Sequence, residues 1–208
     1  MALEIKICGI STPETARAAV ESGATHLGFV HFAKSPRHLS MDEAAALMAD
    51  VSARTVMLLV DPDDATLDAA VRARPDMIQL HGREPPERVR EVRERTGLPI
   101  VKAFAVAQAA DLDRARAYEG LVERFLFDSK PPSGADLPGG NGVGFDHDLL
   151  AGWDGGPFWL AGGLRPDNVA EAVRRVRPGG IDLSSGVESA PGSKDPALIR
   201  ALFDALAL

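Results

Sequence analysis

Eight short apolar runs rich in β-branched residues alternate with eight helical patterns along the 208 residues, and this alternation predicts an α/β fold with a parallel sheet. The strand candidates are residues 4–8, 26–30, 55–60, 77–81, 99–104, 124–128, 158–161 and 181–184. Helical patterns follow them at 13–22, 41–51, 65–74, 85–96, 109–119, 146–150, 165–176 and 196–207. Eight units in 208 residues leave 26 residues each, enough for a strand of about 5, a helix of about 10 and two short connections. A single (β/α)8 TIM barrel, eight parallel strands inside an outer ring of helices, fits this arithmetic as one domain over residues 1–208. An open doubly wound sheet fits it less well. Such a sheet has fewer strands and a glycine-rich dinucleotide turn after the first, whereas this chain continues as Cys8-Gly9-Ile10-Ser11-Thr12-Pro13.

Local signals support the element order. Thr12-Pro13-Glu14, Ser40-Met41-Asp42-Glu43 and Asp195-Pro196 each offer a side-chain oxygen to the first free amides of a helix, and proline suits the first turn. Gly23 and Gly97 stand where two helices should close. The connection 129–145, rich in Gly and Pro, is the one longer than a dozen residues, and Gly139-Gly140-Asn141-Gly142 within it reads as a flexible lid segment.

The composition, 45% hydrophobic and 25% charged, is that of an ordinary globular chain. Its longest apolar runs, such as Thr55-Val56-Met57-Leu58-Leu59-Val60, fall far short of the ~20 residues of a membrane-spanning helix, so no membrane partner is expected. The first residues lack the basic region, apolar run and cleavage site of a signal peptide, and a cytoplasmic location is the expectation. A formal charge of -7 argues against nucleic acid, whose binding rests on clustered Lys and Arg. Small anionic ligands remain possible, because they need only a local positive site, and the chain is expected to be a monomer or a homodimer. The one cysteine, Cys8, excludes an intrachain disulfide and is an inert hydrophobe, a free thiol or a chemically used group.

In a barrel of this kind the functional groups stand at the C-terminal strand ends. Side-chain alternation places Lys6 and Cys8 inside the first strand, with Ile5 and Ile7 outside toward the helices. The same parity turns Asp128 and Leu126 inward and Phe125 and Phe127 outward. A thiol and a carboxyl across one mouth can act as base and acid. The base role needs a neighbouring cation or amide dipole, and the acid role needs burial or a nearby negative charge. Two glycine-bearing turns, Gly162-Gly163 after the seventh strand and Ser184-Ser185-Gly186 after the eighth, have the makings of a phosphate cradle, the latter opening a short extra helix near Val187-Glu188. Arg37 offers a planar fork to a carboxylate. His81 either orients a substrate hydroxyl or satisfies a carbonyl. Asp182, inward with Ser184, either contacts substrate or supports the phosphate turn. His26, His38 and His147 form no metal-like spacing with Cys8, so no metal is expected.

The blocks Lys6-Ile7-Cys8-Gly9-Ile10, Ser35-Pro36-Arg37, Gln79-Leu80-His81-Gly82, Phe127-Asp128-Ser129, Leu160-Ala161-Gly162-Gly163-Leu164 and Ile181-Asp182-Leu183-Ser184-Ser185-Gly186-Val187-Glu188 occur in an order and spacing that resembles the phosphoribosylanthranilate isomerases of tryptophan biosynthesis. The resemblance implies a (β/α)8 barrel that converts N-(5'-phosphoribosyl)anthranilate to the corresponding 1-deoxyribulose 5-phosphate without a cofactor. It implies that Cys8 is the general base, that Asp128 is the general acid and that Arg37 holds the anthranilate carboxylate. The alternatives are another phosphosugar isomerase or epimerase on the same architecture, or a barrel that binds a phosphosugar without catalysis. Such isomerases would be expected to use paired carboxylates, and the epimerases metal-ligating histidines, where this chain has Cys8.

Overall fold

The computed structural model describes residues 2–129 and 146–207. Its eight central strands are β1 (Glu4–Cys8), β2 (His26–His31), β3 (Arg54–Leu59), β4 (Met77–Leu80), β5 (Ile100–Val106), β6 (Arg124–Ser129), β7 (Phe158–Leu160) and β8 (Gly180–Leu183). All pair in parallel, each with its neighbours in chain order, and β8 returns to β1 to close the barrel. Closure matters for the site because it sets Lys6 opposite Asp182 between β1 and β8, and Cys8 opposite Gly28 between β1 and β2.

Around the strands lie α1 (Pro13–Ser22), α2 (Met41–Ala49), α3 (Asp64–Arg72), α4 (Pro86–Thr96), α5 (Ala109–Ala115), α6 (Val169–Val176) and α7 (Pro196–Leu206). The expected caps are made. Thr12 accepts from the Thr15 amide, Ser40 and Glu43 form a reciprocal capping box, and Asp195 accepts from the Ala197 amide. Gly23 and Gly97 end their helices in the left-handed conformation, at φ 109° and 65°.

Outward-facing Ile7, Leu27, Phe29, Met57, Phe125, Phe127 and Ile181 pack under the helices, while Val56, Met77, Val101, Leu126 and Trp159 fill the barrel itself. Cys8, Val30 and Leu58 form a smaller apolar group of their own. The parity read from β1 and β6 is therefore the observed one.

Four departures have local causes. The pattern at 146–150 is one 3-10 turn, His147–Leu150, too short to be an α-helix. The pattern at 109–119 tightens after Ala115 into a 3-10 turn, Arg116–Tyr118. Residues 165–168 form a turn before α6, in which Asn168 accepts from the Arg165 amide and donates to the Gly163 carbonyl. After β8, a 3-10 turn over Ser185–Val187 leads into an antiparallel hairpin, β9 (Glu188–Ala190) and β10 (Ser193–Lys194), so Glu188 lies on a strand where a short helix was expected. The proposed lid segment Gly139–Gly142 lies outside the described residues. Among the described residues, no helix is long and apolar enough to cross a membrane.

Candidate active site

Cys8 ends β1 inside the barrel, 4% exposed, and the wholly buried Lys6 lies two residues before it on the same face. Lys6 Nζ sits 2.9 Å from Asp182 Oδ1, and its charge acts on the neighbouring Cys8 thiol. Room for this pair comes from Gly28: a Cβ there would stand 2.8 Å from Cys8 Sγ and 2.9 Å from Lys6 Nζ. Burial works against the Lys6 charge, but Asp182 and Cys8 outweigh it, and its pKa stays above the ordinary value. Burial also pushes the Cys8 thiol up, and the Lys6 ammonium offsets only part of that. The neighbouring cation expected for a base is thus present, while the resting group is the thiol.

Asp128, at the end of β6, is 7% exposed. Its carboxyl is pushed up to about 7, chiefly by burial and next by the charge of Asp182, and the Ser129 amide donates to its Oδ1 at 2.8 Å. The protonated acid is therefore substantially populated at neutral pH. His81 stands just beyond β4, its Nε2 3.6 Å from Asp128 Oδ2 and its Nδ1 2.9 Å from the Gln79 side-chain amide. Its ring thus faces Gln79 and Asp128, while its backbone amide donates to the Leu59 carbonyl at 2.9 Å. Burial, followed by the charges of Lys102 and Lys6, lowers its pKa to about 3, so the ring is neutral. Lys102 is itself buried, paired with Glu84 at 3.0 Å.

Gly162, Gly163, Ser184, Ser185 and Gly186 line one cavity together with Asp128, Ser129 and Asp182. The two turns meet there backbone to backbone. A side chain on Gly186 would run into the Leu164 carbonyl, which makes glycine necessary at that crossing. Asp182 shares this cavity but spends one carboxylate oxygen on Lys6.

Arg37, 6% exposed, gives its fork to Glu188: Nε to Oε1 and Nη2 to Oε2, each at 2.7 Å. Lys194 Nζ bonds Glu188 Oε1 as well and lies 3.4 Å from Ser184 Oγ. Nη1 of Arg37 is left outside the Glu188 pair. The structure therefore collects every sequence-selected residue at one end of the barrel and adds Lys6, Gln79, Lys102, Glu188 and Lys194. Lys6 was legible by parity. Lys194 carried no signal, because the hairpin that returns it to the mouth was not foreseen. Among the described residues no group of His, Cys, Asp and Glu is arranged to hold a metal.

A closed (β/α)8 barrel whose buried ionisable groups gather at the C-terminal mouth, next to paired glycine turns after its last two strands, has the layout of a barrel enzyme. Comparison with known proteins narrows this. The family model described as N-(5'-phosphoribosyl)anthranilate isomerase matches residues 5–205. A protein of that name from Brucella canis is 54% identical over 211 residues, covering all of this chain and 95% of the relative. The crystal structure of phosphoribosyl anthranilate isomerase from Thermotoga maritima superposes with a TM-score of 0.89 at 35% identity, covering 99% of both chains. Another solved phosphoribosyl anthranilate isomerase, in complex with reduced 1-(o-carboxyphenylamino)-1-deoxyribulose 5-phosphate, gives 0.86 at 33% identity and again 99% of both chains. The chain belongs to the N-(5'-phosphoribosyl)anthranilate isomerase family.

Proposed function

We propose that this protein isomerises N-(5'-phosphoribosyl)anthranilate to 1-(2-carboxyphenylamino)-1-deoxyribulose 5-phosphate in tryptophan biosynthesis, with Asp128 as general acid and Cys8 as general base. The observation that carries the assignment of roles is the pairing, in one mouth, of a carboxyl raised to about 7 with a thiol beside a buried ammonium. Asp128 gives its proton to the furanose ring oxygen as the C1–O bond breaks, leaving an iminium between C1 and the anthranilate nitrogen. The Cys8 thiolate then takes the proton from C2, the C–H electrons form a C1=C2 bond, and the nitrogen regains its lone pair. The resulting enolamine tautomerises to the ketone. Every step moves a proton, so the reaction asks for neither a redox group nor a metal.

Ring opening puts positive charge next to the C–H bond to be broken, which favours the thiolate at the step that needs it. The cavity between the Gly162-Gly163 and Ser184-Ser185-Gly186 turns would take the phosphate, and Arg37 the anthranilate carboxylate, so that the two ends fix the sugar between acid and base. His81 and Asp182 would flank the ribose, with His81 Nε2 3.6 Å from Asp128 Oδ2 and Asp182 holding Lys6 near the thiol.

Cys8→Ala and Asp128→Asn are each expected to lower kcat by a factor of ~100 or more while product-analogue affinity changes only a few-fold. Steady-state kinetics and titration calorimetry measure the two. Wild-type turnover in Cys8→Ala would sink the base assignment.

A further inference from the structure

The Ser35-Pro36-Arg37 loop and the β9–β10 hairpin, more than 150 residues apart in sequence, are locked together over the mouth. Gly192, at φ +83°, packs against the Pro36 carbonyl so closely that a Cβ there would stand 2.5 Å from it. The Gly192 amide turns back to Glu188 Oε2 at 3.3 Å. On the other side, the methylene stem of Arg37 crosses Gly9, the residue after Cys8, where a side chain would collide with Arg37 Cδ. The guanidinium is thus pinned beside the base from below and clamped by one hairpin carboxylate from above.

That carboxylate is built to stay charged. Its side chain is only 3% exposed, and two cations, Arg37 and Lys194, converge on it. Burial alone would raise the Glu188 pKa, yet the Arg37 bonds and the Lys194 charge bring it below its ordinary value. Burial lowers the Lys194 pKa and Glu188 works against that, so the two hold each other as a pair beside the guanidinium, where the anionic ring substituent of the ligand would lie. A free arginine side chain loses rotamer entropy when it is ordered, and a pre-formed bidentate pair removes that loss from the binding step.

We infer that Glu188 is the positioning residue of substrate recognition: with Lys194 and the β9–β10 hairpin it pre-orients Arg37 so that Nη1 meets the aryl carboxylate in register with Cys8. This deepens the proposed function and rests on its assignment of Arg37 to that carboxylate. Glu188 itself touches no substrate. Its loss would be felt as a change in how Arg37 binds, even though removing a negative charge would by simple electrostatics strengthen the attraction for an anion.

Glu188→Gln, Glu188→Asp, Arg37→Ala and the double variant Glu188→Gln/Arg37→Ala test this by steady-state kinetics, alongside binding of ribulose 5-phosphate, which lacks the aryl carboxylate. For Glu188→Gln the expected result is KM raised about tenfold, kcat within about threefold of wild type and ribulose 5-phosphate affinity unchanged. Glu188→Asp recovers part of the loss, and Glu188→Gln adds nothing on the Arg37→Ala background. If Arg37→Ala raises KM while Glu188→Gln leaves it unchanged or lowers it, the inference is overturned and the proposed function stands. Additive effects in the double variant, or an equal loss of ribulose 5-phosphate binding, overturn it too, since they would mean general structural damage. If Arg37→Ala itself leaves KM unchanged, it is the carboxylate assignment that fails.

Discussion

Asp128 and Cys8 are both shifted upward by burial, and this decides how the enzyme should respond to pH. In the proposed mechanism the productive form has a protonated Asp128 and an ionised Cys8. Asp128 titrates near 7 and Cys8 above its ordinary 9.0, so among singly protonated molecules the more common form is the opposite one, a carboxylate with a thiol. The rising limb of the profile therefore belongs to the acid, because one proton must leave before the productive form exists at all, and Asp128 loses it first. The expected kcat/KM rises with pH through about 7 and falls only above 9, as the second proton leaves from Cys8. A profile that instead declines through 7 would mean that Asp128 and Cys8 ionise in the other order. At this scale the inward and outward parity of Lys6, Cys8, Asp128 and Asp182 was readable, because alternation along a strand is a local property. The Lys6–Asp182 and Arg37–Glu188 pairs were not. Their partners lie 176 and 151 residues apart, and only register across the closed barrel brings them together.

Helix starts were the most legible elements, because a cap is made by residues within one turn of each other. The Ser40–Glu43 box illustrates it: the Glu43 amide donates to Ser40 Oγ at 3.2 Å, and the Ser40 amide donates to Glu43 Oε2 at 2.8 Å. Ser40→Ala is expected to destabilise the fold by about 1 kcal/mol with activity unchanged, read from the midpoint of urea unfolding. Element ends and short elements were less legible. The β9–β10 hairpin has only three and two residues to its strands, below what alternation can reveal, and it is held by Gly192 against Pro36 and by Lys194 on Glu188. The 3-10 turn at His147–Leu150 kept the place of a helix without its length, with Leu150 as its buried anchor.

For the molecule as a whole, burial of histidine makes acid stability predictable. His26, beside Trp159 in the barrel, has its pKa lowered to about 4, mainly by burial, and His81 to about 3. Both are neutral when folded but protonated in the unfolded chain below about 6.5. Asp128 works the other way, holding one proton in the folded state that the unfolded chain has lost above about 3.9. Between pH 4 and 6.5 the unfolded chain thus binds two of these protons against one for the folded chain, and stability should rise with pH across that window. Urea midpoints at pH 4.5 and 6.5 check this, and a flat or falling dependence would contradict it. Replacing His26 by an apolar residue should flatten the slope.

The barrel, the residues that face inward, and the mouth at which Cys8, Arg37, His81, Asp128, Asp182 and the two glycine turns would meet were all legible in the residues alone. Strand parity, helix caps and the 26-residue unit are short-range properties, and they survive without knowledge of what packs on what. That Lys6 stands beside Cys8 and Asp182, that His81 faces Asp128, and that Arg37 arrives already held by a Glu188 that Lys194 also engages follows from packing across the closed barrel. The protonation states of Asp128 and Cys8 belong to the same category. They are set by burial and by charges contributed from other strands, and closing the barrel is what removes water and brings those charges within reach.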